Sequence, residues 1–112
     1  MTDAVKAKAE ELKYTILNSE EYKNFDMYRR KLMENPELKD KVNEFRAMNV
    51  RMQIEKASVG GGDMQRLASE NMELLNNTLV REFLNAELIL CRMMQKISSI
   101  LISDLELELD FL

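Results

Sequence analysis

Histidine and tryptophan are absent from the 112 residues, and cysteine and proline occur once each. Without histidine, the imidazole chemistries of general-base catalysis and metal ligation are excluded. A single thiol rules out a disulfide within the chain, which fits a reducing compartment. The three glycines sit together as Gly60-Gly61-Gly62, and with Pro36 they are the only strong helix breakers, so long uninterrupted helices are expected between a few joints. Long hydrophobic runs are missing too. The most apolar stretch is interrupted by Arg81, Glu82, Glu87, Arg92 and Lys96, and the opening Met1-Thr2-Asp3-Ala4-Val5-Lys6 lacks the apolar core of a signal peptide. The expectation is a cytoplasmic protein with no membrane partner.

Charge is present but unevenly divided. Residues 1–58 hold 12 Lys and Arg against 11 Asp and Glu, and residues 59–112 hold 4 against 9. The halves therefore carry +1 and -5, which sum to the net -4. Such a chain matches a phosphate backbone poorly, because non-specific nucleic-acid binding needs clustered Lys and Arg. The triplet Arg29-Arg30-Lys31 is the best local exception, yet three consecutive residues on a helix point in different directions and read as a solvated face.

The spacing of apolar residues predicts an all-α chain: an antiparallel helical bundle of about five helices, forming a single domain over 1–112. The first helix is expected over Asp3 to Leu17, with Val5, Ala9, Leu12 and Ile16 on one face. Asn18 or Ser19 caps a second helix, Asn18 with Glu21 having capping-box spacing, whose inner stripe is Tyr22, Phe25, Tyr28 or Arg29, and Leu32. Asn35-Pro36-Glu37 restarts the chain into a third helix reaching about Ala57, since Asn accepts from free amides and Pro at the first helical position loses no bond. Its Leu38, Phe45, Met52 and Val59 fall seven apart, with Val42 and Met48 beside them. Residues 58–63 form a Gly-rich hinge that lacks the Lys-Ser/Thr of a phosphate-binding loop. Asp63 then caps a fourth helix to about Asn76, with Met64, Leu67, Leu74 and Leu75 inward and Asn71 interrupting the stripe.

The fifth helix, from Leu79 to about Ile102, is the long C-terminal one. Phe83, Leu90, Met94, Ile97 and Leu101 form one apolar stripe, and Val80, Leu84, Leu88 and Cys91 a second, leaving a narrow polar strip through Arg81, Asn85, Arg92, Lys96 and Ser99. A helix apolar over most of its circumference needs cover on two sides, and a chain this short supplies too few helices for both. The expectation is a dimer, homodimeric or heterodimeric with a paralogue, whose contact is the stripe Phe83, Leu90, Met94, Ile97 and Leu101.

Ser19-Glu20-Glu21-Tyr22-Lys23-Asn24-Phe25, Asn35-Pro36-Glu37-Leu38, Glu44-Phe45-Arg46, and Phe83-Leu84-Asn85-Ala86-Glu87 followed by Met94-Gln95-Lys96-Ile97, in this order, resemble the YlbF/YmcA family of Firmicutes regulators over about Val5 to Ser103. The resemblance implies an all-α, dimer-forming cytoplasmic protein without enzymatic activity, linked to control of competence, sporulation and biofilm formation. It also implies a possible partner in RNA processing, since some members act in a complex that modulates RNase Y during mRNA maturation. Members of that complex are associated with iron-sulfur clusters held by cysteines. This chain offers only Cys91, so no cofactor is expected.

Individual residues support no enzyme. Cys91 stands among Leu88, Ile89, Leu90, Met93 and Met94 and reads as a small hydrophobe. Glu87 shares the stripe of Phe83 and Leu90, which makes it a candidate partly buried acid; lacking a histidine or a second acid at fixed spacing, it reads as a paired carboxylate. Ser98-Ser99 has no base to activate it. The nine methionines suit either core gap-filling or an adaptable partner surface. In the acidic-hydrophobic tail, 104–112, Leu105, Leu107, Leu109 and Phe111 alternate with acids at the period of a strand, although no other strand is expected to pair with it. It reads as a frayed end or as a docking peptide.

Two function classes remain. One is a non-catalytic regulatory adaptor working through protein contacts. The other is an RNA- or DNA-binding module that gathers Lys23, Arg29, Arg30, Lys39 and Arg46 on one face. The acidic balance favours the adaptor, without strong direct nucleic-acid binding.

Overall fold

The computed structural model describes residues 1–55 and 62–105, and every element in it is α-helical. The helices are α1 Asp3–Leu17, α2 Glu20–Met33, α3 Pro36–Glu55, α4 Gly62–Glu70, α5 Met72–Leu75 and α6 Thr78–Ile102. Two compact units result, one of residues 1–25 and 85–112, the other of residues 26–84.

Asparagine and serine do most of the punctuation. Asn18 closes α1, its Nδ2 donating to the Tyr14 carbonyl at 2.8 Å. Ser19 opens α2, its Oγ accepting from the Tyr22 amide at 3.2 Å while donating to Ile16 O at 2.6 Å. The capping-box pairing of Asn18 with Glu21 does not form, because Ser19, the residue directly before α2, takes the cap position and Asn18 belongs to the end of α1. Asn35 caps α3 as its sequence predicts, Oδ1 accepting from the Leu38 amide at 3.2 Å. Asn77 does the same for α6 through the Val80 amide at 3.2 Å.

The expected fourth helix is divided. Asn71 turns its side chain back to the Leu67 carbonyl at 2.8 Å, and its own amide bonds to Leu67 and Ala68. Short polar side chains that satisfy a carbonyl one turn back compete with continuation of the helix. The result is α4, a break, and the single turn of α5. Asp63 falls inside α4 rather than before it.

In the unit of residues 26–84, α2, α3, α4 and α6 each bring apolar residues to a shared interior: Leu32, Val42, Leu67, and Val80 with Phe83. Val42 and Val80 have no exposed surface. Leu38, Phe45 and Met52 follow Val42 inward as half-buried residues, whereas Met48, expected beside them, is exposed, being off that stripe. Tyr28, not Arg29, completes the inner face of α2. The end expected for α3 at Ala57, Val59 and residues 58–61 of the Gly-rich segment lie outside the described residues.

Candidate functional site

In the unit of residues 1–25 and 85–112, α1 and the later turns of α6 border an open apolar groove of about 340 Å³. Ile16 and Leu12 stand on the α1 wall, and Met94, Ile97 and Leu101 on the α6 wall. Tyr22 borders it from the start of α2, its ring 6.3 Å from that of Phe25 and tilted by 49°. Among the described residues that line the groove, Lys13 alone is charged, and its ammonium lies 4.9 Å from the Tyr14 ring centroid.

The expected contact stripe on α6 is thereby divided between different surroundings. Phe83 is 3 % exposed and belongs to the interior of residues 26–84, not to a contact surface. Leu90 and Ile97 are half-buried, and Met94 and Leu101 are exposed, the last three on the groove wall. Glu87 is half-buried, as its position on that stripe suggests. Cys91, read from its neighbours as a small hydrophobe, is exposed. So is Leu88, at 46 %. The reason is architectural: this unit holds α1, the first turn of α2 and most of α6, too few helices to enclose α6 all round.

Sequence reasoning by stripes missed one outward face. Ile89, Met93 and Ile100 recur at spacings of four and seven; Ile89 and Ile100 are 45 % and 62 % exposed, and Met93 between them is half-buried. Lys96 lies in the same row, three residues after Met93 and four before Ile100. Within the tail, Leu105 is exposed, while Leu107, Leu109 and Phe111 lie outside the described residues.

The basic residues of residues 26–84 have other engagements. Arg29 and Arg30 both pair with Asp26, Arg30 Nε at 2.9 Å. The Arg29 hydrogen bond, helped by the charge of Arg30, holds the Asp26 carboxyl below its ordinary value against the opposing effect of desolvation. Lys31 lies over the Tyr28 ring at 5.8 Å, Lys39 is half-buried, and Arg46 lies over Phe83 at 5.5 Å. A second cleft of about 270 Å³, between α3 and the α4–α5 break, is lined by Leu38, Lys41, Glu70, Asn71, Glu73, Leu74 and Asn77. Among the described residues there is no group of three or more His, Cys, Asp or Glu placed to hold a metal ion. No described helix is long and apolar enough to cross a membrane.

The contact of Arg46 with Phe83 joins two of the segments on which the resemblance rested, Glu44-Phe45-Arg46 and Phe83-Leu84-Asn85-Ala86-Glu87. The family model described as control of competence regulator ComK, YlbF/YmcA, matches residues 5–106. The chain belongs to the YlbF/YmcA family. That family is one of competence regulators, and the match runs from α1 through α6 into the tail. No curated protein and no solved structure matches the chain significantly. Within this YlbF/YmcA chain, the quoted motifs fall at helix starts and packed positions: Ser19 and Asn35 are caps, and Phe83 and Ala86 are buried.

Proposed function

We propose that this YlbF/YmcA-family chain is a non-catalytic cytoplasmic adaptor that regulates competence, sporulation and biofilm formation through protein contacts, including modulation of RNase Y-dependent mRNA processing. The observation that carries the reading is the outward face of α6. Exposed Ile89 and Ile100 and half-buried Met93 form a row, with Lys96 in its midst, on a helix that its own unit covers incompletely, and a row with spacings of four and seven suits lying along another helix. Its occupant is α6 of a second copy, or of a paralogue with the same pattern. Two such rows facing each other make a self-complementary contact of the kind a twofold dimer requires.

The test is to place a charge on the row. Ile100→Asp would leave an unpaired carboxylate in a desolvated contact. Light scattering should then report a folded monomer where the unaltered chain is dimeric, with helical circular dichroism retained because Ile100 is outside the core. Ile97→Asp, in the groove, serves as the contrast. A monomer from Ile97→Asp alone would move the contact to the groove, and a dimer from both would remove it from this helix.

A further inference from the structure

We propose that the groove between α1 and α6 seats an amphipathic helix of a partner protein, one whose apolar face is edged by Asp or Glu. This deepens the adaptor reading and rests on it for the occupant being a protein segment. The groove uses another side of α6 from the row Ile89, Met93 and Ile100. Met93 and Met94 are consecutive, as are Ile100 and Leu101, so the two rows stand about 100° apart round the helix.

Both walls carry the same repeat. Ala9, Leu12 and Ile16 on α1 are spaced three and four apart, and so are Met94, Ile97 and Leu101 on α6. At 1.5 Å per residue each row runs about 10 Å, or two turns. Two such rows side by side leave a furrow that a third helix fills with anchors at i, i+3, i+4 and i+7. Met94 is 42 % and Leu101 56 % exposed, so the walls still present apolar surface to an occupant.

The lining also selects the backbone form of that occupant. Apart from Lys13, the polar side chains of the described lining are Ser98 and Tyr22, and peptide groups inside α1 and α6 bond within their own helices. An extended peptide would bury amides and carbonyls here without partners. A helix satisfies its own. The groove is open along these walls, whereas pockets for small molecules enclose most of the ligand.

Charge selects the edge. Lys13, next to Leu12 on the α1 wall, is the charged residue of the described lining, while the whole chain carries -4. A partner drawn by the overall field alone would be basic. The cation at the groove reverses that preference locally and favours carboxylates along the edge of the seated helix.

The experiment titrates the full chain into a fluorescein-labelled designed peptide of about fifteen residues, with leucine at i, i+3, i+4 and i+7 and glutamate along both edges, and follows anisotropy. One control peptide has lysine at the edges, and another keeps glutamate but carries a proline in its middle. The glutamate peptide should bind about threefold more tightly than the lysine one, the scale of an exposed charge pair, and about tenfold more tightly than the proline one. Lys13→Glu should invert the preference between edges. Ser98→Gln, at an exposed position on the α6 wall, should weaken the glutamate peptide about tenfold by filling the furrow, with circular dichroism unchanged. Methyl resonances of Met94, Ile97 and Leu101 should shift on binding while those of Ile89 and Ile100 stay.

Equal or tighter binding of the lysine or proline peptide to the unaltered chain, no binding of any peptide, or shifts centred on Ile89 and Ile100 would overturn the proposal. So would a peptide that converts a dimer to monomer in light scattering, since the groove would then be a contact between copies. Ile100→Asp separates this from the adaptor reading, because it should leave the peptide affinity unchanged. A monomeric Ile100→Asp chain without peptide binding removes the groove helix and leaves the dimer contact standing.

Discussion

The guanidinium of Arg46 lies over the ring of Phe83, 5.5 Å from its centroid, while Arg46 Nη1 also donates to Asn43 Oδ1 at 3.2 Å. The contact ties the middle of α3 to the first turns of α6 within residues 26–84. A cation over a buried ring gains from the ring's quadrupole as well as from packing of its own stem.

Substitutions should separate the two parts of that contact. Phe83→Ala removes a buried ring and is expected to cost about 3–5 kcal/mol. Arg46→Met keeps a stem of similar length and loses the charge, at a cost of about 0.5–1 kcal/mol from the cation–ring attraction. Urea denaturation followed by circular dichroism measures both, and an Arg46→Met loss as large as that of Phe83→Ala would contradict this division.

Asp26 should make stability depend on acidity. Its carboxyl is held below the ordinary 3.8 chiefly by the Arg29 hydrogen bond. The stabilisation is therefore present above the ordinary value and is lost as pH falls through the lower, folded-state value. Asp26→Asn should melt at a lower temperature than the unaltered chain at pH 7. The difference should shrink as the pH is taken below about 3.8, and a difference constant down to pH 2 would contradict the assignment.

The two asparagine caps should be worth about 1 kcal/mol each. Asn35→Ala frees the Leu38 amide and Asn77→Ala the Val80 amide. Replacement by Ser at either position should restore most of the loss, because its oxygen can accept the same bond. Chemical denaturation of the four variants tests this.

Anaerobic purification should yield a colourless protein without stoichiometric iron, because one cysteine cannot supply the thiolates that a cluster needs. Visible absorption together with iron analysis decides it. Brown protein with iron in proportion would mean that Cys91 residues of several subunits converge.

Random single-stranded RNA should bind only weakly at physiological salt, given a net charge of -4 and the pairing of Arg29 and Arg30 with Asp26. Fluorescence anisotropy at two salt concentrations is the measurement. Sub-micromolar affinity that falls steeply with salt would favour the nucleic-acid module instead.

Much of the helical order is legible in residue types. α1 runs from Asp3 to Leu17 as its spacing predicts, and Asn35-Pro36 marks the start of α3 without ambiguity, because cap chemistry is local. Where side chains have two local choices, sequence is a weaker guide. Asn18 could cap forward or backward and goes backward; Asn71 could reach water or a carbonyl and takes the carbonyl, dividing a helix whose apolar stripe runs on. Exposure on α6 was least legible. Phe83 and Met94 share a stripe, yet one is buried and the other exposed, since burial depends on how many helices remain nearby and not on the helix itself. No stripe was drawn through Ile89, Met93 and Ile100, a row that carries Lys96 in its midst.

The break at Asn71 also sets how that region exchanges its peptide protons with water. A helix start leaves its first amides without carbonyls one turn back, and α5 is only four residues long, so nearly its whole length is such a start. Met72, Glu73 and Leu74 should therefore take up deuterium early, between slowly exchanging stretches around Leu67 and Val80. Local opening there need not wait for the whole unit to unfold, which makes this one turn a weak stitch among the described residues of 26–84.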